Sequence, residues 1–314
     1  MVDNSNGWHF KHGLDADFME KLKLLAEQGG WFADVLADPT LILGIRKNYL
    51  NVYWLGQSLF KIERSGKTLK FSTHPKYLLD PDLSKAVSFN GSVFKLGGND
   101  ALTTAYGPKT LAAMKRAAKL YSGDEKIGVH AVVCANEDVI DTEVAFSREG
   151  EADKRPFVPR IDLVSLEELK GSIRLRFWEA KLYANGDIRA NGHGEARVVG
   201  QVMGYQKLVE EHRAEVLESY QVVARNLRDI GRWGGPKKRK VGRLIERVAN
   251  GEPVDIDKTP MVGLIVYGYD DDQGKSERWK NHFKKLTKEA HVLVRCKGDP
   301  QDFKLRGDNS VVRI

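Results

Sequence analysis

The chain has 314 residues, 41% of them hydrophobic and 30% charged, and a formal net charge of +7. Such a composition suits a globular protein able to bury a core, of a size for one large domain or two modest ones. The polar start at residues 1–6 lacks the apolar core of a secretory signal, and no apolar run approaches the roughly 20 residues that cross a bilayer, so a soluble, cytoplasmic chain without membrane attachment is expected. Residues 15–37 carry the spacing of one or two short helices, with Phe18, Leu22, Leu24 and Leu25 and then, past Gly29-Gly30, Trp31, Phe32 and Leu36. Four short apolar or β-branched runs follow at 41–46, 49–55, 58–63 and 68–71. They are separated by Lys47-Asn48, Gly56-Gln57 and Ser65-Gly66, the pattern of an antiparallel meander. Residues 80–107 are irregular and rich in Gly, Asp and Ser. Pro108 opens a helix over 109–121 with Leu111, Met114, Ala117 and Leu120 on one face. A soft boundary near residue 100 divides an N-terminal helix-plus-meander module (1–100) from the rest (101–314).

Three strands are expected next, within 128–147, at 157–166 and at 173–183, with short polar connections that favour antiparallel neighbours. An apolar helical stripe spans 195–228 through Val198, Val202, Tyr205, Val209, Val216, Tyr220 and Val223. Beyond a basic, Gly-containing stretch at 231–240 come a helix over 241–250, a strand at 262–267, a helix at 275–286 and a strand at 291–295. The whole reads as an α/β fold, a mixed central sheet flanked by helices with an N-terminal β-rich extension. The cysteines, Cys134 and Cys296, both lie in strand-like apolar runs and are expected as buried free thiols.

Two acids and a lysine stand out in the second and third strands, in Arg160-Ile161-Asp162-Leu163-Val164 and Phe177-Trp178-Glu179-Ala180-Lys181-Leu182-Tyr183. An acid in an apolar strand is costly unless it meets a partner or a metal. Glu179 and Lys181 are two apart and project from one face, and a hairpin lets Asp162 reach that face. Such a set suits phosphodiester hydrolysis: carboxylate oxygens hold Mg²⁺, which polarises the phosphoryl group and acidifies a water. A lysine beside them orients or deprotonates that water.

Asp162, sixteen intervening residues and then Glu179-Ala180-Lys181 resemble the D…(D/E)-x-K signature of the PD-(D/E)XK nuclease superfamily, over about residues 108–297. Glu143 is similar to the acid often found on that family's first core strand or preceding helix. Gln201 and Tyr205, four apart on one helical face, resemble the Q-x-x-x-Y element of its exonuclease-like branch. Ile161 stands where the motif's name puts Pro, and the N-terminal meander has no family counterpart. The resemblance implies a restriction-endonuclease-like core and Mg²⁺-dependent cleavage of DNA, with Mn²⁺ as a substitute and 5′-phosphate products. Asp162, Glu179 and the Ala180 carbonyl would ligate the metal, Glu143 would help with a second ion, and Lys181 would position the water. Restriction, phage defence and repair are all settings for such a core. The extra N-terminal module fits target selection or assembly, a homodimer included.

Between Arg225 and Arg247 stand nine Lys or Arg against two acids, an excess equal to that of the whole chain. Arg225, Arg228, Arg232, Lys237, Lys238, Arg239, Lys240 and Arg243, with Trp233 nearby, are the expected contacts to the nucleic-acid backbone. Gly274-Lys275-Ser276 looks like the end of a phosphate-binding loop, but Tyr269 stands where the first glycine is required and Asp270-Asp271-Asp272 would repel a triphosphate. Three readings stay open beside a DNA nuclease: a non-catalytic nucleic-acid-binding protein on the same scaffold, an RNA nuclease, and an interaction scaffold whose ion pairs are structural.

Overall fold

The computed structural model describes residues 8–79, 88–89, 94–95, 103–148, 160–190, 194–233, 239–258 and 260–305. Helix α1 (Ala16–Glu27) starts at Asp15, whose carboxylate accepts from the Phe18 N–H at 2.9 Å and satisfies one orphan donor of the first turn. It buries Phe18, Leu22 and Ala26. Helix α2 (Trp31–Ala37) buries Phe32, Val35 and Leu36. The meander follows as expected: β1 (Ile42–Arg46), β2 (Tyr49–Trp54), β3 (Gln57–Ser65) and β4 (Thr68–Ser72) form one antiparallel sheet in sequence order. Asn48 takes a left-handed φ of 51° at the first turn. At the second turn Leu55 does the same, with φ 48°, although a leucine pays a steric penalty there. Its N–H is tied to His130 Nδ1 at 3.2 Å.

His130 belongs to a helix that the sequence pattern does not reveal. After α3 (Thr110–Lys119), residues Asp124–Cys134 form α4, where part of a strand over 128–147 is expected. The helix lies between the meander and the central sheet and buries residues on both sides, so its sequence shows no single apolar stripe. Gly128 is the point of closest approach: a Cβ there would sit 2.1 Å from the Tyr267 ring. Cys134, at the end of α4, is exposed rather than buried, whereas Cys296 is buried; both are free thiols.

The central sheet comprises β5 (Val139–Ala145), β6 (Arg160–Leu169), β7 (Ser172–Leu182), β8 (Val254–Ile256), β9 (Val262–Tyr267) and β10 (Leu293–Cys296). Its main path runs β10-β9-β7-β6-β5, with β8 beside the start of β7. The β5–β6 and β6–β7 pairs are antiparallel; β7–β8, β7–β9 and β9–β10 are parallel. The fold is therefore mixed α/β. The long helical stripe is two helices, α5 (Arg197–Glu211) and α6 (Arg213–Gly231), meeting at His212. Their Val202, Tyr205, Val216 and Tyr220 pack in one cluster with Ile161, Val164 and Phe177, while Val129 and Val132 of α4 pack with Leu163, Trp178 and Ala180 in another. Helix α7 (Arg243–Ala249) precedes β8, and the helix expected over 275–286 is divided into α8 (Asp271–Lys275), α9 (Glu277–Lys284) and a π turn (Lys285–Glu289).

The N-terminal elements share the larger cluster with the central sheet; Phe18, Leu36 and Leu43 belong to it together with Val144 and Phe177. A buried ionic node joins the two parts. Asp141 of β5 accepts from Arg46 Nη1 at 2.7 Å, meets His12 Nδ1 at 3.1 Å and accepts from Tyr220 Oη at 3.3 Å. Burial pushes the Asp141 carboxyl up, but Arg46 and His12 outweigh it and hold it below the ordinary range. Burial keeps His12 below its usual value despite the carboxylate beside it. The first residues of the described chain are thus part of the core.

Candidate active site

Glu179 and Lys181 lie two apart on β7, and the alternation of the strand brings them to one face, where Lys181 Nζ donates to Glu179 Oε1 at 2.5 Å. Asp162 reaches them because the β6–β7 ladder ends at the Leu163–Trp178 pair. Beyond that pair the Asp162 side chain takes the place of a strand neighbour: its Oδ2 accepts from the Ala180 N–H at 2.9 Å. The N–H and C=O of one strand residue point the same way, so the Ala180 carbonyl also faces this opening. All three residues are buried, at 5% exposure for Asp162, 3% for Glu179 and 6% for Lys181.

Glu143 joins them from β5. It lies between the Ile161–Val144 and Leu163–Thr142 pairs, opposite Asp162, and has a φ of 54° inside a strand. A left-handed residue costs about 1–2 kcal/mol and persists only where its surroundings impose it. Here Arg46 of the meander imposes it: its guanidinium donates to the Thr142 carbonyl and, at 3.2 Å, to the Glu143 carbonyl. Thr142 Oγ1 in turn donates to the Asp162 carbonyl at 2.9 Å.

Lys126, in the first turn of α4, is a site residue that the sequence motif does not include. Its ammonium sits between two of the acids, 2.8 Å from Asp162 Oδ1 and 2.6 Å from Glu143 Oε1. Its neighbour Glu125 accepts from Asn185 Nδ2 at 3.0 Å and lies 3.9 Å from Lys181 Nζ. Tyr267 anchors this turn by donating to the Glu125 carbonyl at 2.5 Å. The signal that would have found Lys126 is weak, because Glu125-Lys126 reads as an ordinary charged helix start.

The charges do not balance evenly. Burial, then the Asp162 charge, pushes the Glu179 carboxyl up to about 8 despite its contact with Lys181. Its Oε2 is buried and has no hydrogen-bond partner. Burial disfavours the Lys181 ammonium, but Glu179 overrides this and raises its pKa above the usual value, so Lys181 is a proton donor in this state.

These groups fit a hard divalent cation. Among the described residues no three His, Cys, Asp or Glu side chains come together as a metal cage. Mg²⁺ does not ask for one: it is usually held by one or two carboxylates and completes its shell with water and substrate phosphate. Asp162 and Glu179 supply such oxygens, Glu179 Oε2 lacks a partner, and the Ala180 carbonyl faces the same opening.

Tyr205 donates to the Arg160 carbonyl at 3.0 Å and so fixes the entry to β6. Burial, then the charges of Glu179 and Asp162, raises its phenol. Gln201, one turn earlier on α5, has a buried side-chain oxygen without a partner.

The basic stretch is not gathered at this site. Arg239 and Lys240 line a cavity of about 410 Å³ with Cys134, Asn136 and Glu137, at the opposite end of α4 from Lys126. The two ends are roughly 12 Å apart at helical rise. Arg239 donates to the carbonyls of Asp38 and Leu41. Arg228 is bound to Asp229, the Ala249 carbonyl and Asn250. Arg243 pairs with Glu168 at 2.6 Å, and Arg232 lies 3.7 Å from Glu246. Arg225 and Lys240 are exposed; Lys237 and Lys238 lie outside the described residues. Arg160, whose side chain is 58% exposed, approaches Glu143 to 3.8 Å and puts a solvent-facing cation beside the acids.

Comparison with protein-family models, with curated proteins and with solved structures finds no match to this chain.

Proposed function

We propose that the protein is a Mg²⁺-dependent nuclease that hydrolyses DNA phosphodiester bonds at Asp162, Glu179 and Lys181. The observation that carries the reading is the convergence of these three buried groups at the end of the β6–β7 ladder, with the Glu179 carboxylate left short of counter-charge. A buried carboxylate with an unpartnered oxygen is costly, and such perturbed groups cluster at functional sites. The order of two antiparallel pairs followed by parallel β9 and β10 supports a restriction-endonuclease-like core.

Asp162 and Glu179, with the Ala180 carbonyl, would hold the ion, Mn²⁺ serving in place of Mg²⁺. When bound, the metal supplies Lewis-acid stabilisation of the phosphoryl oxygens and a water of lowered pKa. Lys181 directs its ammonium to the same face; as a donor it orients the attacking water and neutralises developing charge. Glu143 is held by Arg46 within reach of the same space. Tyr205 and Gln201 support the site from α5, and Arg160 offers a phosphate contact at its edge. The exposed Arg225 and Lys240 would contact the DNA backbone.

The test is cleavage of closed-circular and linear DNA with Mg²⁺, with EDTA, and by Lys181→Ala. Cutting that needs Mg²⁺ and falls at least about 100-fold in the variant, the usual size of a positioned acid–base group, supports the reading. Binding without cutting by the wild type overturns it in favour of a non-catalytic binding protein, and cutting of RNA alone reassigns the substrate.

A further inference from the structure

We propose that Lys126 is a tethered counter-ion of the metal-free site, which a divalent cation displaces from Asp162 and Glu143 in order to bind. The inference rests on reading these carboxylates as a metal site, and it concerns a residue that reading does not need.

The ammonium stands where a bridging cation would: 2.8 Å from an oxygen of Asp162 on β6 and 2.6 Å from an oxygen of Glu143 on β5. The acids are largely covered, at 7% side-chain exposure each, whereas the Lys126 side chain is 33% exposed. The cation therefore reaches solvent more readily than the anions do. Withdrawing it without replacement would leave the buried Asp162 carboxylate without this cation and Glu143 with only the exposed Arg160 at 3.8 Å, which is unfavourable. Exchange for a divalent ion keeps the site neutralised.

The choice of side chain is consistent with exchange. At Asp141, where a permanent link joins the meander to the sheet, the partner is Arg46, with 6% side-chain exposure and further bonds to backbone carbonyls. An arginine fork suits such fixed, multiple bonding; a lysine is a compact, strongly hydrated charge on a flexible stem. The base of that stem is fixed. Gly56, at the tip of the β2–β3 hairpin, has a φ of 74°, and a Cβ there would lie 2.8 Å from Lys126 Cβ. The hairpin thus packs along the lysine stem from Cβ to Cδ, and the ammonium end lies beyond that contact.

The experiment is Mn²⁺ titration of the full chain without nucleic acid, read from the electron paramagnetic resonance signal of free Mn²⁺, for the wild type, Lys126→Met and Asp162→Asn. Lys126→Met keeps the apolar stem and removes the charge. It is expected to bind Mn²⁺ about ten- to a hundredfold more tightly, as loss of a competing charge-assisted hydrogen bond implies, while Asp162→Asn binds far more weakly. Equal or weaker binding by Lys126→Met, with the wild type still binding, overturns the counter-ion role and leaves the nuclease reading standing. Absence of binding in both proteins overturns the two together. Should Lys126→Met fail to fold, Lys126→Arg, which strengthens the competitor, is expected to weaken Mn²⁺ binding; unchanged or tighter binding then overturns the proposal.

Discussion

Replacing Glu179 with glutamine removes an ionisable carboxyl from the centre of the sheet at almost constant volume, and the metal-free protein should become more stable as a result. Folding raises this carboxyl from an ordinary 4.5 to about 8, through burial and then the charge of Asp162. Below pH 4.5 it is protonated in both folded and unfolded chains and costs nothing. Between 4.5 and about 8 the unfolded chain ionises while the folded one stays protonated, so stability falls as pH rises through that window and levels off above it. At 1.36 kcal/mol for each pH unit, the full interval sets an upper bound of about 5 kcal/mol. The assay is urea unfolding of wild type and Glu179→Gln in EDTA at pH 5, 6.5 and 8. The variant should gain less than about 1 kcal/mol at pH 5 and a few kcal/mol at pH 8. Comparing the two proteins cancels the titrating groups that do not interact with Glu179, and comparing the pH values separates ionisation from packing. A gain that does not grow with pH, or a loss of stability at pH 8, would refute the account of Glu179 as an under-compensated acid.

Asp141→Asn removes the charge that Arg46 and His12 share; equilibrium unfolding should show a loss of about 3–5 kcal/mol, as for other broken buried pairs, and a loss below about 1 kcal/mol would mean that Arg46 finds another partner. Gly56→Ala, at φ 74° and with its new methyl 2.8 Å from Lys126 Cβ, should lower stability by about 1–3 kcal/mol; a neutral or stabilising result in the same assay would show that the hairpin tip does not press on α4. Arg239→Ala should lower the melting temperature while leaving the DNA affinity of the folded protein unchanged, because its guanidinium is spent on the Asp38 and Leu41 carbonyls. The double variant Arg225→Ala, Lys240→Ala should do the reverse, weakening DNA binding and flattening its dependence on salt by about one unit of slope for each phosphate no longer neutralised; the opposite pattern would exchange the two roles.

Much of the architecture is local in origin and legible in the chain. The four-strand meander, the helix after Pro108 and the strand at Val262–Tyr267 follow from the two-residue and 3.6-residue periods and from turn residues such as Asn48. The joint placement of Glu179 and Lys181 is equally local, since residues two apart on a strand share a face. Helix α4 escapes because periodicity reports a helix with one wet side, and α4 is covered on two. For the same reason Lys126 stays hidden: its partner Asp162 is 36 residues away and becomes a partner only when α4 packs across the end of β6. The Glu143 kink depends on Arg46, 97 residues earlier in the chain. The basic run shows the converse, since a cluster in sequence is taken apart when Arg228, Arg239 and Arg243 turn to separate partners. Sequence alone determined which residues share a strand face, because backbone geometry repeats over a few residues. Which charges meet, and which acid is left short of one, was decided only by packing distant segments into a low-dielectric interior, where an ionic contact is strong and its absence costly.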